Sequence, residues 1–491
     1  MAEAHVVGSG LGGLAAAIEL ASRGWRVQVF EAAPTLGGKA GVAVLDGVEV
    51  DTGPSVLTMP DVLDAVFRAG GTTLADELEV RAPTPAFRYV WPGGDTFDVL
   101  HAREDTVASA ARAFGAEAAR ELDAFLTYSQ RIWDAAAPNF VLGPAPSVAG
   151  IARLGVRALG LVANIDSMRT MRAAIDGRVR HPRLRDVLSR YATYNGSDLR
   201  AAPATLNCIA HVELGLGGYG VRGGVYAIVR ALVRVAERLG VVFHAGTPVT
   251  RVRVSGGRVV GVDTTSGPHN ADVVVVNADV GALLDGLLEP GIRAGVAVEE
   301  PLSMSGWNGI LRARRRVGES ARVAHTVLFP ARAYAEEFAD IFDRDQPPTD
   351  PTVYVCAQEA CHGRAGWPDD EPVFVMVNAP AEPRGGVRSA DVWADVERIA
   401  LDRLRAAGLA DADDALVWRR TPAELAARFP GSRGALYGAA SNAMFSAFRR
   451  PPNAVAKLPG LYLASGSAHP GGGMPLCLQS GRQAAAQIGK P

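Results

Sequence analysis

AHVVGSGLGGLAAAIELASRGWRVQVFE, residues 4–31, divides into a short apolar strand, a glycine turn, an alanine-rich helix, a stop and a second strand, which together make one βαβ unit. Gly8, Gly10 and Gly13 give the spacing G-x-G-x-x-G. Gly8 permits the tight turn out of the strand, Gly10 lets the backbone approach a pyrophosphate, and Gly13 allows the helix to pack closely on the sheet. Leu11, Leu14, Ile18 and, less exactly in phase, Ala21 share one helical face, and Gly24 supplies the stop. Trp25, Val27 and Val29 alternate through the second strand and deliver Glu31 to its carboxyl end, where a carboxylate can accept hydrogen bonds from a ribose diol. A 2′-phosphate would favour a basic residue there. Strand before, helix after and an acid 18 residues past the last glycine predict a dinucleotide site in a Rossmann-like α/β domain. The alternative is a nucleotide-free βαβ unit of the same shape.

The remainder of the chain sets bounds on function. With 50 basic and 52 acidic side chains the net charge is −2, which excludes a bulk nucleic-acid footprint. The 491 residues, 48% apolar and 21% charged, describe a globular chain of two or three domains at about 150 residues each. Glycine is in excess, at 55 residues, without a collagen-like period. The four cysteines form no C-x-x-C pair; Cys356, Cys361 and His362 make a loose cluster, and no metal site is expected. The first strand begins close to Met1 and leaves no room for a cleavable signal peptide, so a cytosolic chain is expected. A charge-free candidate stretch, 135–152, carries Pro138, Asn139, Pro144 and Pro146 and is not a spanning helix.

Two later stretches repeat the pattern of the first. RGGVYAIVRALVRVAERLG, residues 222–240, places Ile228, Leu232, Val235 and Leu239 on one helical face with Gly240 as a stop. A hairpin turning at Gly256 and Gly257 follows, and the β-branched run in ADVVVVNAD, residues 271–279, reads as a strand buried on both faces. In GLYLASGSAHPGGGMPLCLQSGRQAAAQI, residues 460–488, a strand again enters a glycine turn and then a helix. Gly466 permits close backbone approach, and Gly471, Gly472, Gly473, Met474 and Pro475 precede a helix whose N-terminal amides favour an anion.

After Glu31 come AAPTLGGKAG and VEVDTGPSVLTMP, residues 32–41 and 48–60. Here the chain resembles the flavin-dependent oxidoreductases that include amine oxidases and carotenoid desaturases. The resemblance implies FAD, with Gly8, Gly10, Gly12, Gly13 and Glu31 in the first turn, Gly38, Lys39 and Ser55 along the flavin's phosphate and ribityl portion, Val249 facing the adenine, and Asn277, Gly466 and Met474 near the cofactor. GLYLASGSAHPGGGMP, TPAELAARFPGSRGALYGAASN, RHPRLRDVLSRYATYNG and APATLN resemble the bacterial carotenoid desaturases of the phytoene desaturase type. RYATYNGSDLRAAPATLN, residues 190–207, is most similar to the branch acting on hydroxylated or methoxylated acyclic carotenoids, the hydroxyneurosporene or carotenoid 3,4-desaturase type. That resemblance implies a discontinuous FAD-binding domain (1–65, 220–295 and 455–491), a mixed-sheet substrate domain (66–103 and 296–454) and a helical subdomain (104–219). It also implies 3,4-desaturation of an acyclic 1-hydroxy carotenoid by hydride transfer to flavin. A phytoene or neurosporene desaturase, a flavin amine oxidase and a polyene-binding escort protein of the same fold are the alternatives.

In the helical subdomain, Ile151, Leu154, Ala158, Leu161 and Ile165 mix with Arg153, Arg157, Arg169 and Arg172. Such a segment suits either an amphipathic core helix or a membrane interface with guanidinium groups reaching anionic head groups. An insoluble polyene substrate favours the second, and hence a protein peripherally attached to the cytoplasmic side of a membrane, of open oligomeric state. Trp307, Phe329, Tyr354, Tyr437 and Phe445 are candidates to line a substrate tunnel. No catalytic side chain is assigned: where some relatives carry an acid three residues before an arginine, this chain has Gly150 and Arg153, and His469 beside a glycine turn is as readily structural as basic.

Overall fold

A computed structural model of the chain describes residues 2–146, 164–443, 446 and 449–491. Five parallel strands form the first sheet, in the order Leu461–Leu463, Val273–Val276, Glu3–Val7, Arg26–Phe30 and Val242–His244. Val6 sits opposite Val275 on one side and Val29 on the other. Because Val273–Val276 lies between two neighbours, all four of its valines are buried, as its unbroken β-branched run requires.

The helix Leu11–Ser22 follows the glycine turn, and every residue from Leu11 to Leu20 is buried. A single apolar stripe is therefore too narrow a description. Helices Tyr226–Arg238 and Met474–Ile488 both pack on it, so small alanines occupy the faces that a surface helix would give to charge. The crossing with the C-terminal helix is close enough that a Cβ on Gly481 would lie 2.1 Å from the Gly12 carbonyl oxygen. Helix Pro60–Ala69 completes this packing. The hairpin joining Val249–Ser255 to Arg258–Thr264 turns at Gly256 and Gly257, φ 58° and 75°, the left-handed pair that a two-residue turn demands.

The larger sheet has seven strands, ordered Ala415–Arg420, Ser305–Arg314, Asp370–Ala379, Val353–Ala357, His325–Leu328, Phe87–Val90 and Thr96–Val99. All neighbours are antiparallel except His325–Leu328 with Phe87–Val90. Helix Ala390–Ala406 covers one face through Trp393, Val396, Ala400 and Leu404. Trp307 belongs to that core, so its packing is under the helix. Helices Arg103–Phe114, Ala116–Ala136, Met171–Asp176, Pro182–Arg190 and Cys208–Leu214 share a further core with Phe87, Tyr89, Trp91 and Phe329. Ile165 points into this core, Arg169 pairs with Asp166 and Arg172 with Asp176. Gly150, Ile151, Arg153, Leu154, Arg157, Ala158, Leu161 and Phe445 lie outside the described residues.

Candidate functional site

Gly8, at φ +98°, makes the turn out of Glu3–Val7, and Gly10 caps Leu11–Ser22 in an extended conformation. A Cβ on Gly13 would stand 2.3 Å from the Gly8 carbonyl oxygen, and one on Gly12 would stand 2.3 Å from that of Ala464 and 2.9 Å from that of Cys477. Gly12 and Gly13 thus close the helix onto the turn and the C-terminal segment. Asn277, at the end of the buried strand, donates its side-chain amide to the Ala464 carbonyl, and its Oδ1 lies over Gly10. It ties the first and last segments of the chain together at the glycine turn.

Glu31 reaches the same turn. One carboxylate oxygen accepts from the Ser9 backbone N–H (2.9 Å) and hydroxyl (2.7 Å), and the other accepts from the Ala33 N–H (2.9 Å). The segment before Val249 is held to it by backbone: the Thr247 N–H donates to the Glu31 carbonyl and the Gly246 N–H to that of Ala33. Gly38, at φ +59°, brings Lys39 round beside Gly10. Lys39 Nζ donates to the carbonyls of Ala435 and Leu436, at 3.0 Å each. Burial lowers its pKa, and the carboxylate of Asp279 works against that shift. Ser55 Oγ lies 2.6 Å from the Tyr354 hydroxyl. Gly466 sits against Cys477 Sγ and Gly472, and Met474 opens the C-terminal helix behind Gly473, φ +100°.

Several residues at the site carry no local sequence signal. Arg450 donates to the carbonyls of Tyr437, Gly466 and Ala439 and to Asn195 Oδ1, at 3.0–3.2 Å. It joins the C-terminal glycine loop to the helical subdomain. Burial pushes its pKa down to about 10, as burial and then the nearby Arg428 do for Arg420, and both guanidiniums stay charged at neutral pH. Asp51 accepts from the N–H groups of Val225 (2.7 Å) and Tyr226 (3.2 Å) at the start of helix Tyr226–Arg238. It also pairs with buried Arg364 at 3.0 Å. His469 Nε2 lies 3.0 Å from the Gly143 carbonyl; a carbonyl only accepts, so this nitrogen carries the proton and anchors the loop.

The family of flavin containing amine oxidoreductases matches residues 11–371. This chain belongs to that family. Similar proteins include the hydroxyneurosporene desaturases of Rubrivivax gelatinosus, 36% identical over 98% of this chain and 92% of that one, and of Rhodobacter capsulatus, 37% identical over 98% and 96%. A 1-hydroxycarotenoid 3,4-desaturase of a Flavobacterium species is 30% identical over 98% of each. Among solved structures, an oxidoreductase from Methanosarcina mazei superposes with a TM-score of 0.61 at 16% identity, covering 97% and 98% of the two chains. A putrescine oxidase bound to putrescine gives 0.63 at 14%, covering 99% and 98%; at that identity the likeness is one of fold.

As a flavin containing amine oxidoreductase the chain is an FAD-dependent enzyme, and its interior fits the cofactor. Lys39 and Arg450 stand near one carboxylate, Asp279, whose own pKa burial raises, and buried Arg420 stands near Lys39, with Glu424 as the carboxylate beside it. Arg420 Nε has no hydrogen-bond partner among the described residues. Buried charge without a counter-charge is costly, and a pyrophosphate-bearing, readily reduced group supplies negative charge of the required sign.

Proposed function

We propose that this flavoenzyme is a carotenoid desaturase that places a C=C bond at the 3,4 position of an acyclic 1-hydroxy carotenoid. The observation that carries the reading is the near-full-length identity, 36% and 37%, to two proteins named hydroxyneurosporene desaturase, joined by the 1-hydroxycarotenoid 3,4-desaturase at 30%. FAD, when bound, supplies the hydride acceptor that no side chain can be. The chain's part is to hold it through the Gly8–Gly13 turn, Glu31, Gly38, Lys39, Ser55, Val249, Asn277, Gly466 and Met474. The flavin-binding unit then comprises residues 1–65, 220–295 and 455–491, the ranges that contribute the five parallel strands.

Desaturation also releases a proton from the neighbouring carbon. Conjugation with the polyene delocalises the developing positive charge, so a strong base need not stand close. Commitment of His469 Nε2–H to a carbonyl accords with that, and no catalytic side chain is assigned. Incubation of liposome-bound enzyme with lycopene, neurosporene and their 1-hydroxy derivatives tests the assignment. A product with a lengthened chromophore is expected from the 1-hydroxy compounds. Equal conversion of lycopene would remove the end-group requirement, and peroxide formation from amines without any polyene product would replace the desaturase by an amine oxidase.

The same reading places the enzyme peripherally on the cytoplasmic side of a membrane. Leu142, nine residues before the arginine-bearing apolar segment in sequence, and Met168, near its end, are 39% and 69% exposed. No helix among the described residues is long and apolar enough to cross a membrane. The protein is expected to pellet with anionic liposomes and to be released by high salt; indifference to liposomes would remove this part.

A further inference from the structure

Three side chains left unused by the flavin reading meet inside the seven-stranded sheet's second face. His325 and Cys356 are directly paired across neighbouring strands, so both project to one side, and Cys361 comes onto them from the short helix Gln358–His362. All three are fully buried. One potential ligand atom from each lies within 4.8 Å of the other two, and His325 Nε2 is 3.3 Å from Cys361 Sγ. We propose that His325, Cys356 and Cys361 form a binding site for a thiophilic d10 cation, Zn(II) or Cu(I).

The spacing is close to that of a coordination sphere, with the three ligand atoms within 4.8 Å of one another and one pair at 3.3 Å. Metal–sulfur bonds of about 2.3 Å and metal–nitrogen bonds of about 2.0 Å set ligand atoms roughly 3.5–4 Å apart, so small rotamer adjustments within the existing packing suffice. The outer contacts prepare the imidazole. His325 Nδ1 lies 2.8 Å from the Tyr354 hydroxyl, which lies 2.6 Å from Ser55 Oγ. With the relay running Nδ1–H to Tyr354 and Tyr354 O–H to Ser55, the lone pair of Nε2 faces the thiols, the tautomer a metal ligand needs. His362 plays a different part. Its Nδ1 accepts from the Val221 N–H at 3.2 Å, so its Nε2 carries a proton and faces Cys356 Sγ at 3.9 Å. It is a donor to a metal-bound thiolate, and the inner set is two sulfurs and one nitrogen. Soft sulfur donors in low number suit Cu(I), while Zn(II) would recruit a fourth ligand.

The test uses the full-length, flavin-loaded protein. Metal content per chain is measured, and anaerobic competition titrations are run separately with Zn(II) and with Cu(I) against chromophoric chelators. One equivalent of one of the two cations is expected, held more tightly than about 1 μM, with sulfur scatterers in the metal's X-ray absorption spectrum. Cys361→Ser and Cys356→Ser should each weaken binding at least about 100-fold, and His362→Gln by about 10-fold, as loss of an outer contact does. Flavin content, read from the visible spectrum, stays unchanged in all of them. The X-ray absorption arm needs only wild-type protein and stands if a cysteine variant fails to fold. Absence of tight binding for both cations, a shell of nitrogen and oxygen alone, binding that survives Cys361→Ser, or a Cys356–Cys361 disulfide in the native protein would each overturn the proposal.

Discussion

Two of the groups of charge in the interior are settled differently. In the helical region Arg190 is surrounded by its own compensation. Glu213, fully buried, accepts from the hydroxyls of Tyr191 (2.9 Å), Tyr89 (3.4 Å) and Tyr194 and lies 3.6 Å from the guanidinium, while the rings of Tyr194 and Phe87 lie 5.0 and 5.7 Å from it. Around the glycine turns, Lys39 and Arg450 share the one carboxylate of Asp279, and Arg420, beside Lys39 and Glu424, leaves its Nε without a hydrogen-bond partner among the described residues. Balanced buried charge is architecture, because the chain itself meets the desolvation cost. Unbalanced buried charge marks where something from outside completes the fold, here the flavin.

The strongest break in that comparison is Glu213→Ala. It leaves Arg190 buried without its carboxylate and three tyrosine hydroxyls without their acceptor, and it should destabilise the protein by about 3–5 kcal/mol. Denaturant unfolding checks this, and a loss under about 1 kcal/mol would mean that Arg190 finds other compensation. A smaller loss, about 1–3 kcal/mol, is expected for Gly481→Ala, whose Cβ would collide with the Gly12 carbonyl where backbone cannot yield. Thermal unfolding with and without FAD reads both the stability loss and any displacement of the turn.

Legibility divides along the same line. The Gly8–Gly13 turn and Glu31 could be read because the spacing that makes them work lies within one short segment, and the valine run of 273–276 declares its burial by composition. Arg450 with Asn195, Asp51 with Val225, and His325 with Cys356 are pairings across 255, 174 and 31 residues, set by which strands and loops become neighbours. Local periodicity carries no trace of that choice. Gly481 did leave a signal, since a glycine inside a regular helix costs about 1 kcal/mol against alanine and so points to a close crossing. The narrow apolar stripe expected of Leu11–Ser22 was too modest because periodicity reads one face, while two further helices cover the others.

Lys39→Met sharpens the comparison from the unbalanced side. Removing a cation whose charge is costly without flavin should leave the apoprotein as stable as before or more so, while FAD affinity falls about tenfold, or 1.4 kcal/mol. The pH dependence has a definite sign. The lowered pKa of Lys39 means that the unfolded chain binds the proton more tightly than the folded apoprotein. Apoprotein stability therefore rises with pH from the lowered folded value up to the ordinary value near 10.4, and is reduced below it. Bound FAD should flatten that rise by favouring the ammonium, and Lys39→Met should abolish it. A slope that persists in Lys39→Met, measured by urea midpoints across alkaline pH, would assign it to another group.

The smallest effect is expected at Glu31. Both of its oxygens are engaged with Ser9 and Ala33, so Glu31→Ala would remove a brace of the turn as well as the proposed ribose partner, and lost flavin would not say which. Glu31→Gln separates the two. A side-chain amide oxygen still accepts from the Ser9 N–H and hydroxyl, while the amide nitrogen now meets the Ala33 N–H and loses one contact, for about 1 kcal/mol. A ribose diol can donate to a carboxylate oxygen and to an amide oxygen alike, but the charge-assisted bonds are roughly twice as strong. FAD affinity should thus fall several-fold with the melting temperature nearly unchanged, and dissociation of flavin during dilution provides the measurement. If Glu31→Gln loses stability and keeps FAD at wild-type affinity, Glu31 belongs with Glu213 among the residues whose charge is spent inside the chain, and the ribose is held from elsewhere.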